Sequence, residues 1–456
     1  MKILIYGLNF APEMTGIGRF TGDMAAWLAA RGHSVRAVSA PPYYPAWKVS
    51  PGYSKWWWRR EVVNGVRVVR SPLYVPSRAT GLRRVLHLAS FALSSAAPAK
   101  WSGMFWRPDV VFVVEPTAFV APAGLAAAWF GGALSWLHIQ DFEFDAAFDL
   151  HFLPKAIAGP VQAGERWLLR RFDTVSTISP RMADRLAGKG VAAERIVEFP
   201  NWVDTQRIRP DADGASFRAE IGIAPDAIVA LYSGNIGEKQ GIDQIASAVQ
   251  AVVAARRDGD PPVRFVIAGA GAGRDVIENA MRTHGLNDQL LKLMPLQPEA
   301  KLPALLAMAD IHLLPQKAEA ADLVMPSKLG GMLSSGRPVV ASADPGTQIA
   351  QMVASCGTVV APADGPAMGA AVLALARDRD LRLRLGIAAR AAAESEWERH
   401  AVLERFEAAL ELRVAAHKGV PKDTAHKGAP KDTAHKGAPK DTAHKGAPKD
   451  TAHKGA

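Results

Sequence analysis

Four stretches of this sequence join glycine to cationic or hydroxyl side chains where a strand gives way to a helix, an arrangement that receives phosphate. The first reads Asn9-Phe10-Ala11-Pro12-Glu13-Met14-Thr15-Gly16-Ile17-Gly18-Arg19-Phe20. Gly16 and Gly18 let backbone approach a ligand, and the helix opening there turns free N–H groups and the positive end of its dipole toward an anion. It is not the dinucleotide fingerprint G-x-G-x-x-G, because Thr21 stands at the third glycine. A purely structural turn is the competing reading. The second stretch, Gly269-Ala270-Gly271-Ala272-Gly273 after VRFVIA, is weak alone and gains weight from position, since ligands of doubly wound sheets sit beyond the carboxyl ends of strands. In the third, Ser233-Gly234-Asn235-Ile236-Gly237-Glu238-Lys239-Gln240-Gly241, Lys239 is suited to neutralising a diphosphate at a helix mouth. The fourth runs from Glu319 through Asp322, Leu323, Val324 and Pro326 to Ser327 and Lys328, with Ser335-Gly336-Arg337-Pro338 following. Pro326 suits the first turn of a helix, which brings Ser327 and Lys328 beside the same anion.

The elements that must hold these turns are legible as alternating strands and helices, the pattern of parallel βαβ units. Strand-like runs occur at 3–8, 34–40, 66–71, 109–114, 134–139 and 174–179, and a second set at 228–234, 263–269, 291–295, 311–315 and 337–342. The sequence therefore predicts an α/β protein of two doubly wound domains. The polar, proline-bracketed segment from Phe199 to Pro210 falls between the sets and reads as the hinge. A long helix is expected over Leu381 to Ala416, with Trp397, Leu403, Phe406 and Leu410 at helical spacing, packing back across both domains.

Of the 456 residues, 417–456 repeat the nine-residue unit HKGAPKDTA, with Val420 for alanine in the first copy. That tail has no periodic apolar face and is expected to be disordered; its histidines, nine apart, fix no metal geometry. The body, in a chain 49% apolar and 21% charged, has the composition of a globular protein rather than a disordered chain, collagen or coiled coil. Cys356 is the single cysteine, so neither an intrachain disulfide nor a thiolate metal cluster is available. No Asp-x-Asp stands at a strand end, and those at 211–213, 258–260 and 378–380 fall in linker or helix-rich surface, so no catalytic metal and no other cofactor is expected.

Charge is unevenly spread. Residues 48–107 hold eleven Lys/Arg against Glu61 alone, with Trp56, Trp57, Trp58, Trp101 and Trp106 among them. Such a mixture suits an anionic membrane surface, with Val85, Leu86, Leu88, Phe91 and Leu93 as an apolar face beside the tryptophans. The uncharged stretch 116–137 is long enough to span a bilayer, but Pro122, Gly124, Gly131 and Gly132 divide it into a helix and a buried strand.

Taken together, these residues resemble the retaining glycosyltransferases of family 4 with the GT-B fold, and among them the bacterial colanic-acid fucosyltransferase-like and O-antigen aminosugar transferases. The resemblance covers about 1–410 and rests on APEMTGIGRFTGDMAAWLAARGH, SAPPYYPAWKV, WLHIQDFEFDAAF, FPNWVDTQ, YSGNIGEKQGID, AEAADLVMPSKL and SGRPVV. It implies an acceptor-binding Rossmann-like domain over 1–205, a nucleotide-sugar-binding one over 206–395, a crossover helix at 396–416 and the tail at 417–456.

The resemblance further implies that Gly16 and Gly18 face the donor diphosphate and the acceptor, and that Lys239 holds the pyrophosphate. Gly234, Asn235, Gly269, Gly271, Asp322, Leu323, Val324, Ser327 and Lys328 complete the donor site. Asn235 stands where the family usually has arginine. Glu319 matches the first glutamate of the family's paired motif; counting for the second lands on Ser327 or, from Gly336, on Gly331, so ribose recognition falls to other groups such as Ser327. His138 and Asp141 match the family's histidine position near the transferred sugar, with a structural histidine as the competing reading. The implied reaction moves a sugar, of GDP-fucose or UDP-amino-sugar type, to a polyprenyl-diphosphate-linked glycan with retention and without metal. The protein is expected in the cytoplasm, peripheral at the inner face of the plasma membrane, with no nucleic-acid partner. A catalytically degenerate relative is the alternative; an oxidoreductase would need the dinucleotide fingerprint that is absent here.

Overall fold

The computed structural model describes residues 1–13, 16–44, 46–77, 81–115, 118–142, 158–237, 240–271, 273–316 and 328–419. Runs of Val, Ile and Leu that are apolar on both faces need cover from both sides, which a parallel sheet between helix layers provides. The first sheet contains β1 (Lys2–Gly7), β2 (Ser34–Ser39), β3 (Arg59–Val63), β4 (Val66–Arg70), β5 (Val110–Glu115), β6 (Leu134–Ile139), β7 (Thr174–Thr177) and β8 (Ile196–Glu198). Their order is β3-β4-β2-β1-β5-β6-β7-β8, and among the described strands only the β3–β4 hairpin is antiparallel. The second sheet contains β9 (Ile228–Asn235), β10 (Val263–Ala270), β11 (Leu291–Met294), β12 (Ile311–Leu314), β13 (Val339–Ser342) and β14 (Gly357–Val360), ordered β11-β10-β9-β12-β13-β14. The α/β class with two doubly wound sheets is as the sequence predicts.

In each sheet the strand order reverses beside the first strand, between β1 and β5 and between β9 and β12. At such a switch point the loops part and leave a crevice beyond the carboxyl ends. The glycine loop after β1, the loop after β9 and the segment after β12 all spring from those points.

The long C-terminal helix expected over 381–416 is two helices, Arg379–Glu396 and Arg399–His417. The break has a local cause. Glu398 caps the second helix by accepting from the Ala401 N–H at 2.7 Å, while the Trp397 carbonyl accepts from Val203 N–H and the Arg399 N–H donates to the Val203 carbonyl. Beyond the break the helix returns to the first domain. There Val402, Leu403, Phe406, Leu410 and Val414 join Ile3, Ile5, Phe112 and Trp136 in one core, with the Phe406 ring stacked on Phe199 at 3.9 Å.

Among the described residues no helix is long and apolar enough to cross a membrane. The uncharged stretch instead forms the helix Ala121–Gly131, ended by Gly132 in a left-handed turn, and then β6.

Candidate functional site

On the second-domain side of the crevice, β9 ends in Tyr232, Gly234 and Asn235, and Lys328 opens the helix Lys328–Ser334 across from them. The Lys328 ammonium lies 4.2 Å from the centre of the Tyr232 ring and donates to the Tyr232 hydroxyl at 2.9 Å. That hydroxyl in turn donates to the Asn235 carbonyl. Among the described residues no carboxylate pairs with Lys328. Burial pushes its pKa down to about 7, and burial likewise raises the Tyr232 phenol well above its usual range, leaving it a neutral donor. A buried cation without a protein anion is a poor structural group and a good phosphate partner. Gly234 leaves room for it: the nearest atom to a Cβ at that position would be Lys328 Cδ, 3.6 Å away.

Gly269 and Gly271 serve a different purpose from an open phosphate loop. A Cβ on Gly271 would stand 2.4 Å from the Ile236 carbonyl oxygen and 2.8 Å from Asn235 Oδ1. The loops after β9 and β10 therefore touch, fastened by Ile236 N–H to the Ala270 carbonyl at 2.9 Å and Gly273 N–H to the Ile236 carbonyl at 2.8 Å. Gly269 sits equally close to Gly234, so these glycines hold Asn235 in place.

On the first-domain side the glycine loop contains a group that sequence reasoning passed over. Glu13 is buried, and its carboxylate accepts from Asn9 Nδ2 at 2.9 Å and from the backbone N–H groups of Tyr43 and Tyr44, each at 3.2 Å. Burial raises its pKa, against the pull of those hydrogen bonds and of the Arg70 charge. A Cβ on Gly18 would lie 2.5 Å from Glu13 Oε2, so Gly18 is the floor on which Glu13 rests, while Gly16 makes the turn at φ +63°. Arg70, 1% exposed, holds the loop from beneath. It donates to the Ala11 and Ala40 carbonyls and pairs with Glu61 at 2.7 Å. The signal for Glu13 was its place inside APEMTGIG; nothing local marks it as buried.

His138 lies in β6, buried beneath the crevice rather than on it. Its Nδ1 is 2.9 Å from Ser176 Oγ, and its ring stacks on Phe112 at 5.6 Å. Burial lowers its pKa to about 3, so it is neutral at any physiological pH. This is the geometry of the structural reading. Asp141 stands three residues on, at the carboxyl end of the strand, beside Gln140, whose Oε1 accepts from Asn201 at 3.1 Å. The expectations for Lys239, Glu319, Asp322, Leu323, Val324 and Ser327 fall outside the described residues. Of the Asp-x-Asp pairs, Asp213 and Asp378 cap helices and Asp260 pairs with Arg377 at 2.7 Å.

Residues 15–202 match the family described as glycosyl transferase 4-like domain, and residues 214–392 match glycosyl transferases group 1. The colanic acid biosynthesis glycosyl transferase WcaI of Escherichia coli is 44% identical over 358 residues, covering 77% of this chain and 86% of WcaI. Sucrose-phosphate synthase from Thermosynechococcus elongatus superposes with a TM-score of 0.70 at 17% identity, covering 91% of this chain and 99% of its own. Anabaena HepE, solved with UDP-glucose, superposes with a TM-score of 0.64 at 15% identity over 90% of this chain and 99% of HepE.

Proposed function

Because the chain joins a glycosyl transferase 4-like domain to a group 1 domain and belongs, with its relative WcaI, to the GT-B glycosyltransferases, we propose that it moves a sugar from a nucleoside-diphosphate donor to a polyprenyl-diphosphate-linked glycan, with retention, in exopolysaccharide or lipopolysaccharide assembly. The observation that carries this reading is Lys328, a buried ammonium at the carboxyl ends of the second sheet with a tyrosine and no described carboxylate for company. Breaking a sugar–phosphate bond leaves charge on the diphosphate, and preorganised cations where that charge develops lower the barrier. Lys328 and Lys239 supply them from the protein, so no metal is called for. In a retaining transfer the acceptor hydroxyl approaches on the leaving-group face, and the departing phosphate takes its proton. His138, neutral and buried, is left to shape the crevice floor, with Asp141 nearer the transferred sugar and Glu319 on its hydroxyls.

The donor nucleotide is open to a direct test. The full chain is to be screened against UDP- and GDP-linked sugars for hydrolysis and thermal stabilisation, with and without EDTA. Activity that persists in EDTA supports the reading; activity restored only by a divalent ion overturns the metal-free mechanism. In the same assay Lys239→Ala is expected to lose about 10²–10³ in rate with its melting temperature unchanged. Turnover within a few-fold of the parent would remove Lys239 from its role.

A further inference from the structure

The helix Gly81–Trp101 and the π-turn Ser102–Trp106 that continues it run along the outside of the first domain. One side is core: His87, Leu88, Phe91, Ser95 and Ala99 are buried. Leu88 and Phe91 therefore do not belong to an exposed apolar face, as the sequence had indicated. The outer side is apolar as well. Leu82, Leu86 and Leu93 are 72%, 50% and 80% exposed, and Trp101 and Phe105 continue the line at 63% and 62%. From Val85 to Ala99 the helix has no charged residue, whereas a helix that faces water keeps a charged stripe there.

Aromatic rings adjoin this line. Trp58 donates its indole N–H to the Ser94 carbonyl at 3.1 Å, and Trp56 and Trp57 beside it are 70% and 71% exposed. At the far end Gly103 packs onto the helix Ala121–Gly131 so closely that a Cβ would sit 2.2 Å from the Ala127 carbonyl. Cations close both ends, Arg83 and Arg84 at one and Lys100 and Arg107 at the other.

We propose that this face lies in the headgroup layer of an anionic membrane, with the helix parallel to the surface. An apolar line bounded by indole rings and cations is how interfacial helices are held, and no described helix is long and apolar enough to span instead. The charge argues for lipid over a second copy of the chain: a two-fold contact through this face would set two basic surfaces against each other, and Glu61, the one acid within 48–107, is already paired with Arg70. The placement rests on the lipid-linked acceptor proposed above and gives it a geometry. His87, on the second turn of the helix, packs against Tyr43 and Trp47 at 4.9 and 5.3 Å, in the loop after β2. The membrane plane thus reaches the carboxyl-end rim, where an acceptor diphosphate sits at headgroup depth.

Tryptophan fluorescence decides the matter. The full chain is to be mixed with vesicles of phosphatidylglycerol and brominated phosphatidylcholine, whose bromines quench indoles that enter the bilayer; the tail contains no tryptophan and is silent. Strong quenching is expected, lost when phosphatidylcholine alone is used. Leu86→Asp with Leu93→Asp should weaken partitioning about tenfold or more, as should Trp56→Ser with Trp57→Ser, all with unchanged melting and unchanged hydrolysis of a nucleotide sugar. Vesicle binding without quenching, equal quenching in parent and variants, or a lipid-free dimer that the Asp variant dissolves would each overturn the proposal. Quenching as expected in a chain that hydrolyses no nucleotide sugar would sink the functional reading and leave the docking face standing.

Discussion

In the phosphate role proposed for it, Lys328 is the residue at which stability and function oppose each other. With a pKa of about 7 in the fold against roughly 10.4 for an unperturbed lysine, the unfolded chain binds the extra proton between those values. Its burial thus weakens the fold fully below about pH 7, and the penalty fades as pH rises toward about 10. Replacement by Met should raise the melting temperature of the ligand-free protein by a few degrees and at the same time abolish transfer. A bound diphosphate favours the charged form, so binding draws in a proton. Affinity for a nucleoside diphosphate should accordingly fall as pH climbs above about 7, by up to about tenfold per unit, and calorimetry in buffers of different ionisation enthalpy would register the uptake. A flat profile above pH 7, or one that Lys328→Met leaves unaltered, excludes Lys328 from the phosphate site. Lys328 was visible in the sequence because a lysine two residues after a proline suited to a helix start is a local pattern. Glu13 was not, because what defines it is the backbone of Tyr43 and Tyr44, thirty and thirty-one residues away.

At the scale of elements, legibility followed burial. The central strands announced themselves as apolar on both faces, whereas the strands absent from the sequence reading are β3, β8 and β14, all at sheet edges or ends. Edge strands are wet on one side and need no long apolar run. For β3 a signal existed: Asn64 and Gly65, at φ +50° and +81°, form the turn of a hairpin in which Val63 pairs with Val66. The returning helix Arg399–His417 was legible by its period, but not its break, which depends on hydrogen bonds to Val203. Its grip on the first domain can be measured through Phe406, whose ring meets Phe199, Phe112 and Trp136. Phe406→Ala should cost about 3–5 kcal/mol and lower the melting temperature of the first domain in calorimetry, while nucleotide binding by the second is retained. A shift of less than a degree would show that the helix is not part of that core.

For the whole molecule, the chain passes between the domains twice, and the two passages meet. Val203 on the outgoing strand exchanges hydrogen bonds with Trp397 and Arg399 on the returning one. Asp23 of the first domain takes both the Trp202 indole N–H and the Arg399 guanidinium, at 2.7 and 2.6 Å. A single tether would behave as a swivel, free to turn about any axis through it. Two strands laced side by side behave as a leaf spring: they bend readily about the line joining them and resist torsion, since twisting would break the Val203 ladder. Such a joint favours one relative motion of the two domains, a jaw-like opening of the crevice between them.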